Sequence, residues 1–415
     1  MPELLPFRNF YYKEGLDKKD DKLKELAAPP YDVISEEEKI DLKNRSPNNI
    51  CHVILPEAYE AAGKKLDNMI DNEVLIHGED RCICIYGIDY KKPDTGESIS
   101  RYGFVGLLKL VEIFPANDGV IPHERTFKRY TTDRFNLIQQ TDGNFSPIWT
   151  IYDGNGAAEE LFKKYTKQPP FLQTIDRDGF THKIWEVWKE KDIKKFQDIV
   201  ARNKIIIADG HHRYTTCLRY SKHGGCKYIM ALFIDFNDPG LIIYTSHRQI
   251  HKMFVNNITE LKEKVSEKFD VREVEDVNAL KQIMEEHRGQ HVFGCYFLHK
   301  FLFFKLKDEI IPEDIIAKDQ SKEWKNLNLP ILHYILLADL DIQRNDITYV
   351  KGIKKGVENV DTKEDIKALF IVNPTTLEEV QEITRLGEIM PQKSTYFYPK
   401  PLSGLVIHKH TDIIE

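Results

Sequence analysis

The sequence predicts an α/β protein, on three observations. Apolar runs of strand length alternate with amphipathic helical stretches through the whole chain. Pairs of such runs meet at hairpin turns. The run Ile205-Ile206-Ile207 ends in an Asp-Gly turn that opens directly into a helix.

In chain order, the Pro29-Pro30 pair stiffens a loop, and Ser35 to Glu38 form a capping box before a helix that ends near Asn44. Residues 50–55 read as a strand, and 59–76 as a helix with Leu66, Met69, Ile70, Val74 and Leu75 on its apolar face. Residues 82–90 and 102–113 form a hairpin about the turn at 93–96, with no obvious chemistry on it. A strand at 148–152, a short helix at 159–167, a hairpin over 171–188 turning at 176–179 and a helix at 192–202 lead to the isoleucine run. Strands follow at 228–236 and 241–244. From Asn257 the pattern changes: helices at 259–269 and 277–287, a strand pair at 292–298 and 301–306, a buried helix at 329–340, a strand at 366–372 and a helix at 376–386 stopped by Gly387. These elements divide into a larger α/β part, 1–254, and a smaller one, 255–415, whose last loop, 390–405, is expected to return to the active site.

The chain of 415 residues can bury more than one core. Lys+Arg 59 against Asp+Glu 66 gives a net charge of −7, which argues against a nucleic-acid partner. No apolar run approaches the roughly 20 residues of a membrane span, and the N-terminal residues lack a signal pattern. The expected location is the cytoplasm. The six cysteines (51, 82, 84, 217, 226, 295) contain no C-x-x-C pair and read as reduced, mostly buried thiols; zinc would need a better ligand cluster.

The chemistry concentrates at Asp209-Gly210-His211-His212-Arg213. A strand, a glycine turn and a helix N-terminus aim backbone N–H groups and the positive end of the helix dipole at an anion. Three cationic or cation-capable side chains stand at the same place, so the anion is read as phosphate. The Pro-Pro loop either holds Asp32 at a site or only leads into its helix. Residues 121–128 are dense in polar side chains: Glu124 beside His123 is a general base, a metal ligand or part of a solvated turn. Arg248, at the expected end of a strand, either joins the anion site or lies on the surface. Lys393-Ser394-Thr395, between prolines, offers one cation and two hydroxyls to phosphate oxygens. Gly154-Asn155-Gly156 does not complete a dinucleotide fingerprint, and no Walker-type loop occurs.

The Asp-Gly-His-His-Arg motif resembles the phosphate-binding motif of the ParB/sulfiredoxin fold, and in particular that of the free-serine kinases built on it. The Pro-Phe-Arg start, residues 28–34, 122–126, 144–147, 204–214 and 390–405 resemble, in that order, a family first defined only as a domain of unknown function. Pyrophosphate-dependent serine kinases are the functional match within it. The resemblance implies a mixed-sheet catalytic core of ParB/sulfiredoxin type and phosphoryl transfer from pyrophosphate to free L-serine, with Mg²⁺ as cofactor. It implies Asp209 beside the serine hydroxyl and the metal, and Glu124, in its Pro-x-Glu setting, as the catalytic base. Gly210, His211, His212 and Arg213 would hold the phosphates, joined by Lys393, Ser394, Thr395 and Arg248. Asp32, His123, Asn144 and Ser146 are the candidates for binding the amino acid. A serine kinase using ATP or ADP, and a non-catalytic ParB-like nucleotide-binding module, are the alternatives. His212→Ala and Arg213→Ala are expected to lose turnover while remaining folded.

Overall fold

Period-two alternation of apolar residues is what turns 83–109 into the two longest strands of the molecule, because successive side chains must leave a strand on opposite faces. The structure is a computed structural model that describes residues 1–415 except 18–19, 94, 114–118, 125–127, 392 and 411–415. Asp94 of the expected turn, Arg125, Thr126 and Phe127 of the expected polar loop, and Gln392 of the last motif therefore lie outside the described residues.

The chain forms two compact units, Met1–Ile242 with Pro399–Glu415, and Ile243–Tyr398. The first contains a nine-stranded mixed sheet. Its strands are β1 (Leu4–Leu5), β2 (Ile83–Lys91), β3 (Ser98–Lys109), β4 (Val120–Pro122), β5 (Ile148–Tyr152), β6 (Leu172–Ile175), β7 (Thr181–Val187), β8 (Ile205–Asp209) and β9 (Tyr228–Asp235). They run in the order β4-β8-β5-β9-β3-β2-β7-β6, with β1 paired to β3. Pairing is parallel between β4 and β8 and between β5 and β9; the remaining pairs in this order are antiparallel. One face carries Ile83, Ile85, Phe104, Ile207 and Phe233, all buried, in one core with Phe196 and Tyr214 from helices. Phe104 stacks on Phe233 with centroids 5.0 Å apart. Each such large side chain contributes about 1.5–3 kcal/mol by leaving water.

The helices that matter for the site are α1 (Glu36–Arg45), α2 (Tyr59–Asp71), α3 (Lys128–Thr141), α4 (Glu190–Arg202) and α5 (His211–Ser221). The capping box at Ser35 and Glu38 forms as expected, each side chain bonded to the other's backbone. Residues 50–55, expected as a strand, contain instead a helical turn, Cys51–Ile54. Asn49 explains the difference. Its side chain accepts from the Cys51 N–H at 2.8 Å and donates to the Glu25 carbonyl at 2.7 Å, which starts a helix where apolar β-branched residues suggested extension. Likewise α2 stops at Asp71 because Glu73 takes a left-handed φ of 53°. Leu75 then enters a short strand, Leu75–His77, paired with Phe10–Tyr12.

The second unit contains a six-stranded sheet of β10 (His247–Ile250), β11 (Phe269–Val274), β12 (Val292–Phe297), β13 (Lys300–Leu306), β14 (Ile347–Val350) and β15 (Ala368–Val372). The order is β11-β13-β12-β15-β10-β14, with every pair antiparallel. Leu280 and Met284 of the helix Val277–Glu286 share a core there with Phe303, Leu369 and Ile371. Because β10 pairs with β14 and β15, it belongs to this unit, although it precedes the expected division at 254. His247 and Arg248 thus open a strand rather than close one. Among the described residues no helix is long and apolar enough to cross a membrane.

Candidate active site

Strand β8 delivers Asp209 to its C-terminal end. The register with β5 slips between Ile207 and Asp209, an irregularity of the kind that re-aims a side chain. Gly210 follows at φ 93° and caps α5, whose first residues are His211, His212 and Arg213. The first turn of any helix leaves N–H groups without intrahelical partners, so the polar end of α5 opens beside the Asp209 carboxylate.

That carboxylate is gripped from two sides. Lys400 Nζ donates to Asp209 Oδ1 at 2.6 Å and to Asp32 Oδ2 at 2.7 Å. Arg213 Nη2 donates to Asp209 Oδ2 at 3.2 Å. Arg213 Nη1 also reaches the Ser146 hydroxyl and the Ser146 and Pro147 carbonyls, at 2.9, 3.1 and 2.9 Å. Asp209, Asp32, Arg213 and Ser146 are therefore brought together, and Lys400 is the residue that the sequence motifs did not single out. A signal existed: Lys400 sits between Pro399 and Pro401, which restrict its backbone to extended conformations. Lys393-Ser394-Thr395 masked it with a richer donor set.

Lys400 is held by the segment around it. Ala28 and Ser403 exchange backbone hydrogen bonds of 3.1 and 2.7 Å. The Leu402 N–H donates to the Tyr86 hydroxyl at 3.0 Å. Tyr86 in turn bonds His182 Nδ1 at 3.0 Å, and His182 Nε2 bonds Asp176 Oδ2 at 3.0 Å.

The two histidines before and within the motif form a pair. The His123 N–H donates to His211 Nε2 at 3.3 Å, and the rings lie 4.7 Å apart, steeply inclined to one another. His123 Nδ1 lies 2.6 Å from the Ile207 carbonyl. Burial lowers both imidazole pKa values, that of His211 well below its usual 6.5, with His123 and His212 nearby adding to the effect. Both rings are therefore neutral at pH 7. Glu124 follows β4 and is half-buried, and His212 is half-buried on α5. Asn144 accepts from the Met230 N–H at 3.0 Å and directs its amide toward Cys217 Sγ at 3.8 Å. Beside these residues is a cavity of about 60 Å³ lined in part by Tyr31, Arg134, Asn144, Ser146, Arg213 and Thr216. The Arg134 guanidinium lies 4.2 Å from the centre of the Tyr31 ring.

Arg248, Lys393, Ser394 and Thr395 belong to the second unit. Arg248 is fully buried, bonds the Ser246 carbonyl and reaches the Lys393 carbonyl at 3.4 Å. Burial lowers its pKa to about 10. The Ser394 hydroxyl is spent on the Pro391 carbonyl, and the Ser394 carbonyl accepts from Thr375.

Arg213→Ala is now expected to cost stability as well as turnover. It strips partners from two part-buried carbonyls and the Asp209 carboxylate at once, worth about 2–3 kcal/mol. A urea midpoint unchanged from the parent would contradict this.

The charges also predict how stability follows pH. Burial alone would raise the Asp32 carboxyl, but the Lys400 ammonium more than reverses that and holds it well below the usual 3.8. Burial would lower Lys400, but Asp209 and Asp32 hold it above 10.5. The folded Asp32 pKa is depressed, so its contribution is complete above 3.8 and lost as pH falls through the folded value. The folded Lys400 pKa is raised, so its contribution is complete below 10.5 and lost only as pH rises through the folded value. His123 and His211 have depressed folded values, so the unfolded chain takes up more protons below 6.5. Urea midpoints should fall from pH 6.5 downward and further below 3.8. They should also fall above pH 9, where burial holds the Cys217 and Cys226 thiols above their usual value and only the unfolded chain ionises them. A midpoint rising between pH 6.5 and 5 would contradict the buried neutral histidines.

The fold and site define an α/β protein with an ammonium-bridged carboxylate pair at a helix N-terminus. The chain belongs to the family described as a protein of unknown function (DUF1015), whose model matches residues 4–331. No curated protein matches the chain. Among solved structures it is similar to a free serine kinase in complex with AMP, at 16% identity and a TM-score of 0.34, covering 68% of this chain and 84% of that one. A conserved hypothetical protein from Pyrococcus furiosus is similar at 18% identity and a TM-score of 0.34, covering 72% and 94%. SbnI with C-terminal truncation from Staphylococcus aureus is similar at 11% identity and a TM-score of 0.36, covering 73% and 86%. Likenesses this distant carry no argument about activity.

Proposed function

We propose that this chain is a phosphotransferase that moves the terminal phosphoryl group of pyrophosphate to the hydroxyl of free L-serine. The observation that carries the reading is the Asp209 carboxylate, set at the start of α5 and held between Lys400 and Arg213. Phosphoryl transfer asks mainly for positioning and charge neutralisation. A serine hydroxyl also needs a carboxylate within reach to take its proton.

In this reading Asp209 accepts the proton as the serine oxygen bonds to phosphorus, and the bridging P–O bond breaks to release phosphate. The N–H groups of α5, His212 and Arg213 hold the phosphate oxygens. Lys400 neutralises charge next to them, and Asp32 orients Lys400. His211, neutral and bonded to the His123 N–H, shapes the wall of the site. Glu124 is the second candidate for the base; near-full turnover in Glu124→Gln would assign the role to Asp209.

Magnesium was expected on Asp209. Both oxygens of that carboxylate are engaged, one by Lys400 and one by Arg213, so a ready metal site does not fit there. We therefore assign magnesium to the pyrophosphate, as part of the substrate.

The test is to incubate the purified protein with L-serine and Mg²⁺ and either pyrophosphate, ATP or ADP, and to measure phosphoserine. Pyrophosphate is expected to give product. Product with ATP or ADP alone would replace the donor. No product with any donor would remove the phosphotransferase reading and leave a binding module.

A further inference from the structure

A second cluster of reactive side chains lies on the other side of the β2–β3 hairpin, at the β2–β7 pairing. Cys84 on β2 and Glu186 on β7 are direct cross-strand partners. Cys82 stands two residues before Cys84, so the pleat turns both thiols to the same face. Cys82 is fixed by exchanging backbone hydrogen bonds of 3.1 and 2.9 Å with Phe7. Both cysteines are buried, and Glu186 is half-buried.

Cys82 Sγ lies 3.7 Å from Cys84 Sγ and 3.8 Å from Glu186 Oε1. One ligand atom from each residue falls within 4.8 Å of the others, and no second group of three such side chains is found among the described residues. A tetrahedral ion with metal–sulfur bonds of about 2.3 Å requires the sulfurs to be about 3.8 Å apart. With a metal–oxygen bond of about 2.0 Å, sulfur and oxygen must be about 3.5 Å apart. The two separations from Cys82 are already close to these values, and the third, between Cys84 and Glu186, is within 4.8 Å. Asn9 adds an independent sign. It is fully buried, and its side-chain amide faces the Glu186 carboxylate.

We propose that Cys82, Cys84 and Glu186 bind one divalent cation of the zinc class. The three side chains supply three ligands, and an exchangeable water within reach of Asn9 takes the fourth position. Thiolates select zinc-like ions over magnesium or calcium. Each thiol releases its proton to solvent as its metal–sulfur bond forms. The bound ion ties β2, β7 and the Phe7 segment together. This site is independent of the phosphoryl-transfer reading and is tested without any turnover assay.

The experiment is a Co²⁺ titration of the reduced, chelator-treated full chain. One equivalent should produce the intense visible bands of a tetrahedral site and a near-ultraviolet thiolate-to-cobalt band, both erased by Zn²⁺. Glu186→Gln, which keeps the shape and both thiols, should weaken cobalt binding by roughly tenfold or more. Cys84→Ser should abolish the two-sulfur spectrum, while Cys295→Ser in the second unit should leave it unchanged. Only the weak bands of octahedral cobalt in the parent protein would overturn the proposal, as would a parent-like spectrum in Cys84→Ser. If Cys84→Ser does not fold, the Zn²⁺-induced rise in Tm decides: it should appear in the parent and shrink in Glu186→Gln, and an equal rise in both would overturn the site.

Discussion

Lys400→Met should be the most damaging single change at the site. The ammonium bridges two carboxylates with only 7% of its side chain exposed. Removing it leaves Asp32 and Asp209 facing each other with only Arg213, on the Asp209 side, as counter-charge. The Asp209 and Asp32 side chains are 23% and 39% exposed, so the cost falls between the under about 1 kcal/mol of an exposed surface pair and the about 3 kcal/mol of breaking a fully buried one. The urea midpoint should fall accordingly. On the proposed function, turnover should fall by roughly 100-fold or more, since a cation aimed at the transferring group acts where charge develops. Adding Asp32→Asn to Lys400→Met removes the repulsion, so it should recover part of the stability and none of the turnover. Parent-like stability and turnover in Lys400→Met would sink both the energetic and the functional reading.

Gly210→Ala should be nearly as severe, for a different reason. At φ 93° a residue with a side chain is strained by about 1–2 kcal/mol. The added Cβ would also stand 2.8 Å from Ile148 Cγ2 and 2.9 Å from Arg213 Nη2, closer than real Cβ contacts allow. Pushing Arg213 aside loosens its hold on Asp209 and Ser146. The expected cost is about 2–3 kcal/mol in stability and about 100-fold in turnover, as small misplacements in a reacting site cost that much. Gly179 supplies the control: its φ is 80°, but a Cβ added there would meet nothing within 4 Å. Gly179→Ala should therefore cost only the backbone strain and leave turnover intact. Equal losses in both variants would show that the collision with Arg213 and Ile148 is immaterial.

The parts of the fold that were legible in the sequence are those decided locally. The isoleucine run, the Asp-Gly turn and the His-His-Arg helix start became β8, Gly210 and α5 because period, turn chemistry and helix geometry agree there. The Ser35 capping box was legible for the same reason. Residues 50–55 were not, because apolar periodicity cannot separate a short strand from a buried helical turn, and the Asn49 side chain decided the matter. Lys400 was hidden because its two partners lie elsewhere in the chain, Asp32 being 368 residues away. Cys82 and Cys84 were set aside for lack of a C-x-x-C spacing. On a strand, however, a C-x-C spacing already puts two thiols on one face, and only the β7 register supplies Glu186.

The separation between Asp32 and Lys400 also bears on how the protein is made. A chain emerging from a ribosome presents β8 and the start of α5 long before residue 400. During that interval Asp32 and Asp209 have no ammonium between them, and the second unit is synthesised in the gap. The first unit must wait, with its carboxylates solvated and its segment partner for Ala28 still unmade. Early domains ordinarily fold first during synthesis; here the final locking of the earlier unit is deferred until the later one has been translated. Ribosome-stalled chains ending before Pro399 should accordingly remain sensitive to protease within residues 28–34, and full-length chains released from the ribosome should not.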